Sequence, residues 1–134
     1  MIEIDPFEIQ SNFGKLKAVF SFQECFDSGS MIVGIILEFE NGSIFHEAIS
    51  DNDQIASTQE ARWNNEKLTN ISSALPWEKV IGKRPMWFWE LKQDETHCDA
   101  VQYEFANSFE DESHKIQLMV TASAIETYEV KKTL

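Results

Sequence analysis

The fold of the chain is decided by the stretch Met31-Ile-Val-Gly-Ile-Ile-Leu-Glu-Phe-Glu-Asn-Gly-Ser-Ile-Phe-His-Glu-Ala-Ile49. Residues 31–40 form an apolar, β-branched run, which is typical of a central strand covered on both faces. Asn41-Gly42 is the strongest hairpin signal in the chain, because these residues fit the tight turns that join antiparallel strands. Residues 43–49 are therefore predicted to return as a second strand beside the first.

The residues before this hairpin predict a third strand of the same sheet. Every second position from residue 16 to residue 22 is apolar, so one face of that strand would be apolar. The alternating residues are Leu16, Ala18, Phe20 and Phe22. Residues 27–30 include Gly29 and favour a turn into the next strand. The first half of the chain is thus predicted to be a three-stranded meander.

The second half of the chain returns to strand patterns after an irregular middle. Residues 56–73 lack a clear period and are interpreted as a long connection with some helix, and residues 76–82 predict one or two helical turns. The predicted strands that follow cover residues 86–92, 98–106, 115–122 and 124–131. We therefore expect a single domain, residues 1–134, of the α+β class. Its mainly antiparallel sheet would have six or seven strands, with one or two short helices.

The charge of the chain restricts its partners. Its 23 Asp and Glu against 11 Lys and Arg give a net charge of −12. A chain this acidic repels phosphate backbones, so we expect no nucleic-acid partner. The longest nearly apolar run, residues 31–37, is far shorter than the ~20 residues that span a bilayer, so no membrane partner is expected. A basic protein partner remains, because complementary charge speeds association and sets specificity.

Much of the acidic charge lies in predicted loops. Residues 93–114 contain seven acidic and no basic side chains. Loops at the end of a sheet can converge, so these side chains could form one negative docking surface, although an ordinary solvated surface explains them equally well. The predicted partner-binding residues are Asp51, Asp53, Trp63, Asp94, Glu95, Glu110, Asp111 and Glu112.

The aromatic triplet Trp87-Phe88-Trp89 has two interpretations. Alternation along a strand places Trp87 and Trp89 on one face and Phe88 on the other. The favoured interpretation is a central strand with aromatic core on both sides, one of them under a helix. The alternative is an aromatic wall for a ligand or partner. Trp63, in the irregular middle, is predicted to be the exposed anchor.

The N-terminus and the cysteines favour a cytoplasmic location. The first eight residues are acidic and lack both the basic and the apolar regions of a secretory signal. Cys25 and Cys98 are isolated thiols, which are typical of reduced cytosolic proteins. The sequence predicts a monomer or a homodimer, since an aromatic sheet face can be buried between two copies.

The sequence contains no pattern typical of catalysis or of cofactor binding. No CxxC, HxxxH or HxH spacing occurs, and there is neither a GxGxxG nor a GxxxxGK[ST] loop. We therefore expect no enzyme activity, no cofactor and no metal. A site around His46 or His97 is kept as the enzymatic alternative.

Several short motifs are shared with one kind of protein. They are Pro76-Trp77, Val80-Ile-Gly-Lys83, Trp87-x-Trp89-x-Leu91, Asp99-Ala-Val-Gln102-x-Glu-Phe105, and Gly34-Ile-Ile-Leu-x-Phe39 with Asn41-Gly42. In these residues the chain resembles a family of small, uncharacterised bacterial proteins, and the resemblance covers residues 31–53 and 76–125. It implies a single α+β domain and carries over no catalytic residues. Small acidic bacterial domains of this appearance are similar to immunity proteins of toxin systems.

Two functional hypotheses follow. The first is a non-catalytic, acidic interaction protein, most concretely a bacterial immunity protein that binds and blocks a basic toxin domain. The second is a small-molecule-binding or accessory domain, with an aromatic pocket lined by Trp87, Trp89 and Tyr103.

Overall fold

The computed structural model describes residues 6–27, 29–49, 53–59, 68–94, 97–108 and 110–131. The first five strands are β1 (Leu16–Phe26), β2 (Gly29–Phe39), β3 (Gly42–Ile49), β4 (Gln54–Thr58) and β5 (Leu68–Asn70). The last four are β6 (Arg84–Asp94), β7 (His97–Ala106), β8 (His114–Thr121) and β9 (Ala124–Val130). One short helix, α1 (Pro6–Asn12), precedes β1, and a 3-10 helix covers Trp77–Lys79.

The strands form two antiparallel sheets, so the predicted α+β class is wrong. The order of the first sheet is β4-β3-β2-β1-β5, and the order of the second is β6-β7-β8-β9. Both predicted meanders are confirmed, because β1 to β3 and β6 to β9 each pair in sequence order. The residues that the structure describes therefore fold as a mostly β protein with very little helix.

The class was wrong because two strands and one helical segment have misleading local patterns. Residues 54–58 contain only two strongly apolar residues, which are adjacent, so no alternation marks β4. This strand forms because its backbone pairs with the edge of β3. β5 has only three residues and pairs with β1. Residues 76–82, predicted as helical turns, contain a single 3-10 helix of three residues.

An irregularity near the start of β1 changes which side chains face the core. The register against β2 shifts between Leu16 and Ala18, and such a bulge inverts the alternation that follows it. Leu16 and Val19 are both buried in the core, whereas Phe20 and Phe22 lie on the other side of the sheet. The predicted single apolar face of this strand is therefore divided between two faces.

A single core joins the two sheets. It includes Ile35, Leu37 and Ile44 from the first sheet and Tyr103 and Phe105 from the second, all of them buried. Further members are Ile9 of α1, Trp77 of the 3-10 helix, and Ile116 and Leu118 of β8. The inner face of the four-stranded sheet is thus covered. In the described part of the chain, no helix is long and apolar enough to cross a membrane.

Candidate interaction surface

The outward face of the four-stranded sheet carries three cross-strand rows of four residues. Pairing of β6 with β7, β7 with β8 and β8 with β9 defines these rows. They are Trp87, Glu104, Lys115 and Val130; then Trp89, Gln102, Gln117 and Tyr128; then Leu91, Ala100, Met119 and Glu126. We call this surface the outer aromatic face.

Five large apolar side chains of this face are exposed. Their exposed fractions lie between 36% and 46%, and the residues are Trp87, Trp89, Leu91, Met119 and Tyr128. Contiguous exposed apolar surface on a sheet face is typical of binding sites, whereas scattered single residues need no explanation. Because all five belong to one register grid, they form a patch rather than a scatter.

The two tryptophans correct the favoured interpretation of this strand. Alternation holds, since Phe88 is buried against Tyr103 and the tryptophans point the other way. However, β6 is an edge strand of its sheet, and both tryptophans on its outward face are exposed. The two indole rings lie 6.3 Å apart between centroids with an interplanar angle of 26°. Trp87 and Trp89 are therefore surface residues rather than core.

Polar contacts hold the middle of the face in place. The side-chain amide of Gln102 donates to the carbonyl oxygen of Gln117 at 2.6 Å. The Lys115 ammonium lies over the Trp89 ring, 5.3 Å from its centroid. The Ser113 hydroxyl donates to a Glu104 carboxylate oxygen at 2.7 Å. The face is thus an ordered mixture of rings, amides and charges.

The predicted acidic residues that the structure describes lie at opposite ends of this face and do not converge. Glu110, Asp111 and Glu112 are exposed in the β7–β8 loop, next to the row that begins with Trp87. Asp53 lies at the other end, where its carboxylate accepts the backbone N–H of Ser123 in the β8–β9 turn at 3.0 Å. Asp51, Trp63 and Glu95 lie outside the described residues, and so does the side chain of Asp94.

A surface cleft of about 510 Å³ adjoins the acidic loop. It is lined by residues 111–115 and 129–131, most of them charged. Within it, Glu129 accepts hydrogen bonds from Lys79 at 2.8 Å and from His114 at 3.0 Å. Both hydrogen bonds lower the pKa of Glu129, and the bond from Lys79 has the larger effect. Its carboxylate is therefore already paired within the protein.

His46 is buried between the two sheets. Its Nε2 lies 2.5 Å from the Tyr103 hydroxyl of β7, and its Nδ1 lies 2.7 Å from the Ser57 hydroxyl of β4. Burial lowers the pKa of His46 to about 3, and burial also raises the pKa of Tyr103 well above its usual value. The imidazole is thus neutral at physiological pH, with both nitrogens engaged, and it links the sheets across the core.

The remaining predicted groups do not come together. Tyr103 faces the core, opposite to Trp87 and Trp89, so these three residues do not line one pocket. Cys25 on β1 is an exposed free thiol and Cys98 on β7 a buried one. Burial raises the pKa of Cys98 to about 11, which keeps it protonated. Among the described residues, no three His, Cys, Asp or Glu side chains are grouped to hold a metal ion.

Sequence reasoning missed most of the outer aromatic face. Leu91, Met119 and Tyr128 were not singled out as site residues, and neither was Lys115. A usable signal existed in the hairpin register. Residues 101–105 of β7 and 116–120 of β8 alternate between apolar and mostly polar positions, which identifies their outward sides. Pairing then places the tryptophans beside the outward residues Gln102 and Glu104.

The fold and this surface define a class of protein: a small protein of two antiparallel sheets with one ordered, exposed aromatic face. The chain belongs to a family of unknown function, DUF6334, whose model matches residues 1–133. This confirms the resemblance to an uncharacterised family. Neither the curated proteins nor the solved structures contain a match to the chain.

Proposed function

We propose that this chain is a non-catalytic, acidic interaction protein that binds a basic protein partner through its outer aromatic face. In its most concrete form, the proposal is a bacterial immunity protein that blocks a toxin domain by occluding its surface. The observation that carries the proposal is the exposure of five large apolar side chains on a single sheet face.

The composition of the face supports protein binding. Tryptophan, tyrosine and methionine are enriched in protein interfaces, and tryptophan and tyrosine dominate binding hot spots. The grid of three rows by four strands measures roughly 14 Å by 14 Å from ordinary strand spacings. An area of this size suits the apolar centre of an interface, and the surrounding loops would supply the rim.

The charge of the rim supports a basic partner. Glu110, Asp111 and Glu112 lie at one end of the face, and Asp53 lies at the other. The whole chain carries a net charge of −12. Such a field attracts a positively charged surface and speeds its association, which suits an inhibitor that must bind a toxin quickly.

The first test identifies the partner. The DNA that flanks the gene is sequenced and the reading frame directly upstream is read. We expect a large secreted protein that ends in a compact basic domain. That domain is then titrated with the full chain by calorimetry, and its association rate is measured at low and at physiological ionic strength.

The proposal predicts tight binding whose association rate falls as salt rises. An upstream metabolic operon, or a basic domain that does not bind, would contradict the immunity function.

A further inference from the structure

We propose that Trp87, Trp89 and Glu104 form a binding site for the guanidinium group of an arginine side chain. This inference rests on the proposed function, because the arginine would belong to the basic partner. It names the chemical group that the centre of the outer aromatic face recognises.

The first observation is that a cation already contacts one ring of this aromatic pair. The Lys115 ammonium lies 5.3 Å from the centroid of the Trp89 ring, within the range of a cation–π interaction. Trp87 lies beside Trp89 with its ring centroid 6.3 Å away. The position of Lys115 shows that a positive group can reach the face of the Trp89 ring.

The second observation is the state of Glu104. In the register it lies between Trp87 on β6 and Lys115 on β8. One of its oxygens accepts the Ser113 hydroxyl, but Lys115 is directed to Trp89 and makes no ion pair with it. Among the described residues, no cation pairs with this half-buried carboxylate. A negative group is thus available on the residue that pairs with Trp87 in the register.

These neighbours fit a guanidinium better than an ammonium. A guanidinium is planar and weakly hydrated, so it can stack on an indole while its N–H groups donate to a carboxylate at the edge. The Gln102 amide nitrogen is committed to Gln117, and within the described part of the chain its carbonyl oxygen has no donor. This oxygen, next to Trp89 in the register, provides a second acceptor for a forked donor.

The test uses two small probes of equal charge, N-acetyl-L-arginine amide and N-acetyl-L-lysine amide. Each is titrated into the full chain while the indole N–H resonances are followed by NMR, with Trp87→Phe and Trp89→Phe used for assignment. We expect the arginine probe to shift both resonances saturably, and to bind at least about threefold more tightly than the lysine probe.

Glu104→Gln is expected to weaken binding of the arginine probe by about threefold or more. The matched control is Glu126→Gln, which makes the same charge change on the same face, in the row farthest from Trp87. The inference is overturned if the arginine probe leaves both indole resonances in place, or if the two variants weaken binding equally. The latter result would indicate general attraction to an acidic surface.

This experiment separates the inference from the proposed function, because it does not use the partner. An arginine probe that fails to bind overturns the site, even if the neighbouring toxin domain binds the chain tightly. Saturable, Glu104-dependent binding supports the site, even if no such domain is encoded upstream.

Discussion

The two faces of the four-stranded sheet are built by the same strands but have opposite roles. Phe88 is 4% exposed, whereas Trp89, the next residue of β6, is 36% exposed. Leu118 and Met119 of β8 show the same contrast, at 0% and 37%. Side-chain type does not separate the members of these pairs. What separates them is that the first sheet covers one face and leaves the other in solvent.

The buried, inner residues of this sheet stabilise the fold more than its exposed, outer residues. Burial of apolar area stabilises the protein by ~25 cal/mol per Å², so the almost completely buried inner residues contribute more than outer residues of similar size. The five large apolar side chains of the outer aromatic face nevertheless leave 36–46% of their area in solvent, and so large an exposed apolar area on one face is typical of a binding surface.

The largest expected effect comes from paired truncations on β8. Leu118→Ala should lower the free energy of unfolding by about 2–5 kcal/mol, because it leaves a cavity in the core. Met119→Ala on the exposed side should cost less than about 1 kcal/mol. Urea unfolding followed by circular dichroism measures both, and equal losses would show that the outer face is also covered.

The burial of His46 between the two sheets should also make the stability of the protein depend on pH. Burial lowers the pKa of His46 from its ordinary value of 6.5 to about 3 in the folded chain. The unfolded chain therefore takes up the proton first as the pH falls. The contribution of neutral His46 to the free energy of unfolding is complete above pH ~6.5 and is lost progressively towards pH ~3. About 2 kcal/mol of it is lost by pH 5.

The direct check is the NMR titration of the His46 ring in the folded protein. Its ring resonances should remain those of neutral imidazole down to pH ~5. A titration midpoint near the ordinary histidine pKa would show that the His46 ring is accessible to solvent. Its burial between the two sheets would then be wrong.

A smaller effect is expected from removing one hydroxyl on each side of the sheet. Tyr103→Phe deprives buried His46 of a partner and should cost about 1–2 kcal/mol. Tyr128→Phe removes a hydroxyl that contacts Glu126 on the exposed face, and should cost less than about 0.5 kcal/mol. Thermal unfolding measures both variants, and an equal cost would remove the distinction between buried and exposed polar contacts.

The smallest effect on the fold is expected at the acidic loop. Joint replacement of Glu110, Asp111 and Glu112 by their amides should change the free energy of unfolding by less than ~0.5 kcal/mol. The same variant should associate with the basic partner about tenfold more slowly at low salt, because the attractive field is weaker. Stopped-flow mixing measures this rate, and an unchanged rate would place the docking site away from this loop.

Seven of the nine described strands could be predicted from the sequence, because alternation and the Asn41-Gly42 turn are local signals. β4 could not, since its own residues show no alternation and it forms by pairing with β3. β5 could not, since it has only three residues and pairs with β1, which is distant in sequence. The bond between His46 and Tyr103 also joins residues 57 positions apart and has no local signature.

The candidate site was predictable only in part. Alternation correctly assigned Trp87 and Trp89 to one side of β6, but it cannot say which side is covered. That depends on how the two sheets pack, which is a tertiary property. The acidic loop around Asp111 is exposed as its composition indicates, whereas its separation from Asp53 required the strand order.

The central claim is that the outer aromatic face binds the partner. Its most direct test is the affinity of Trp89→Ala for the basic domain encoded upstream, with Leu75→Ala, an exposed apolar residue outside the face, as the control. The account predicts that Trp89→Ala stays folded and binds about 30-fold or more weakly, as expected for a hot spot, while Leu75→Ala binds like the unmodified chain. A folded Trp89→Ala with unchanged affinity would contradict the account.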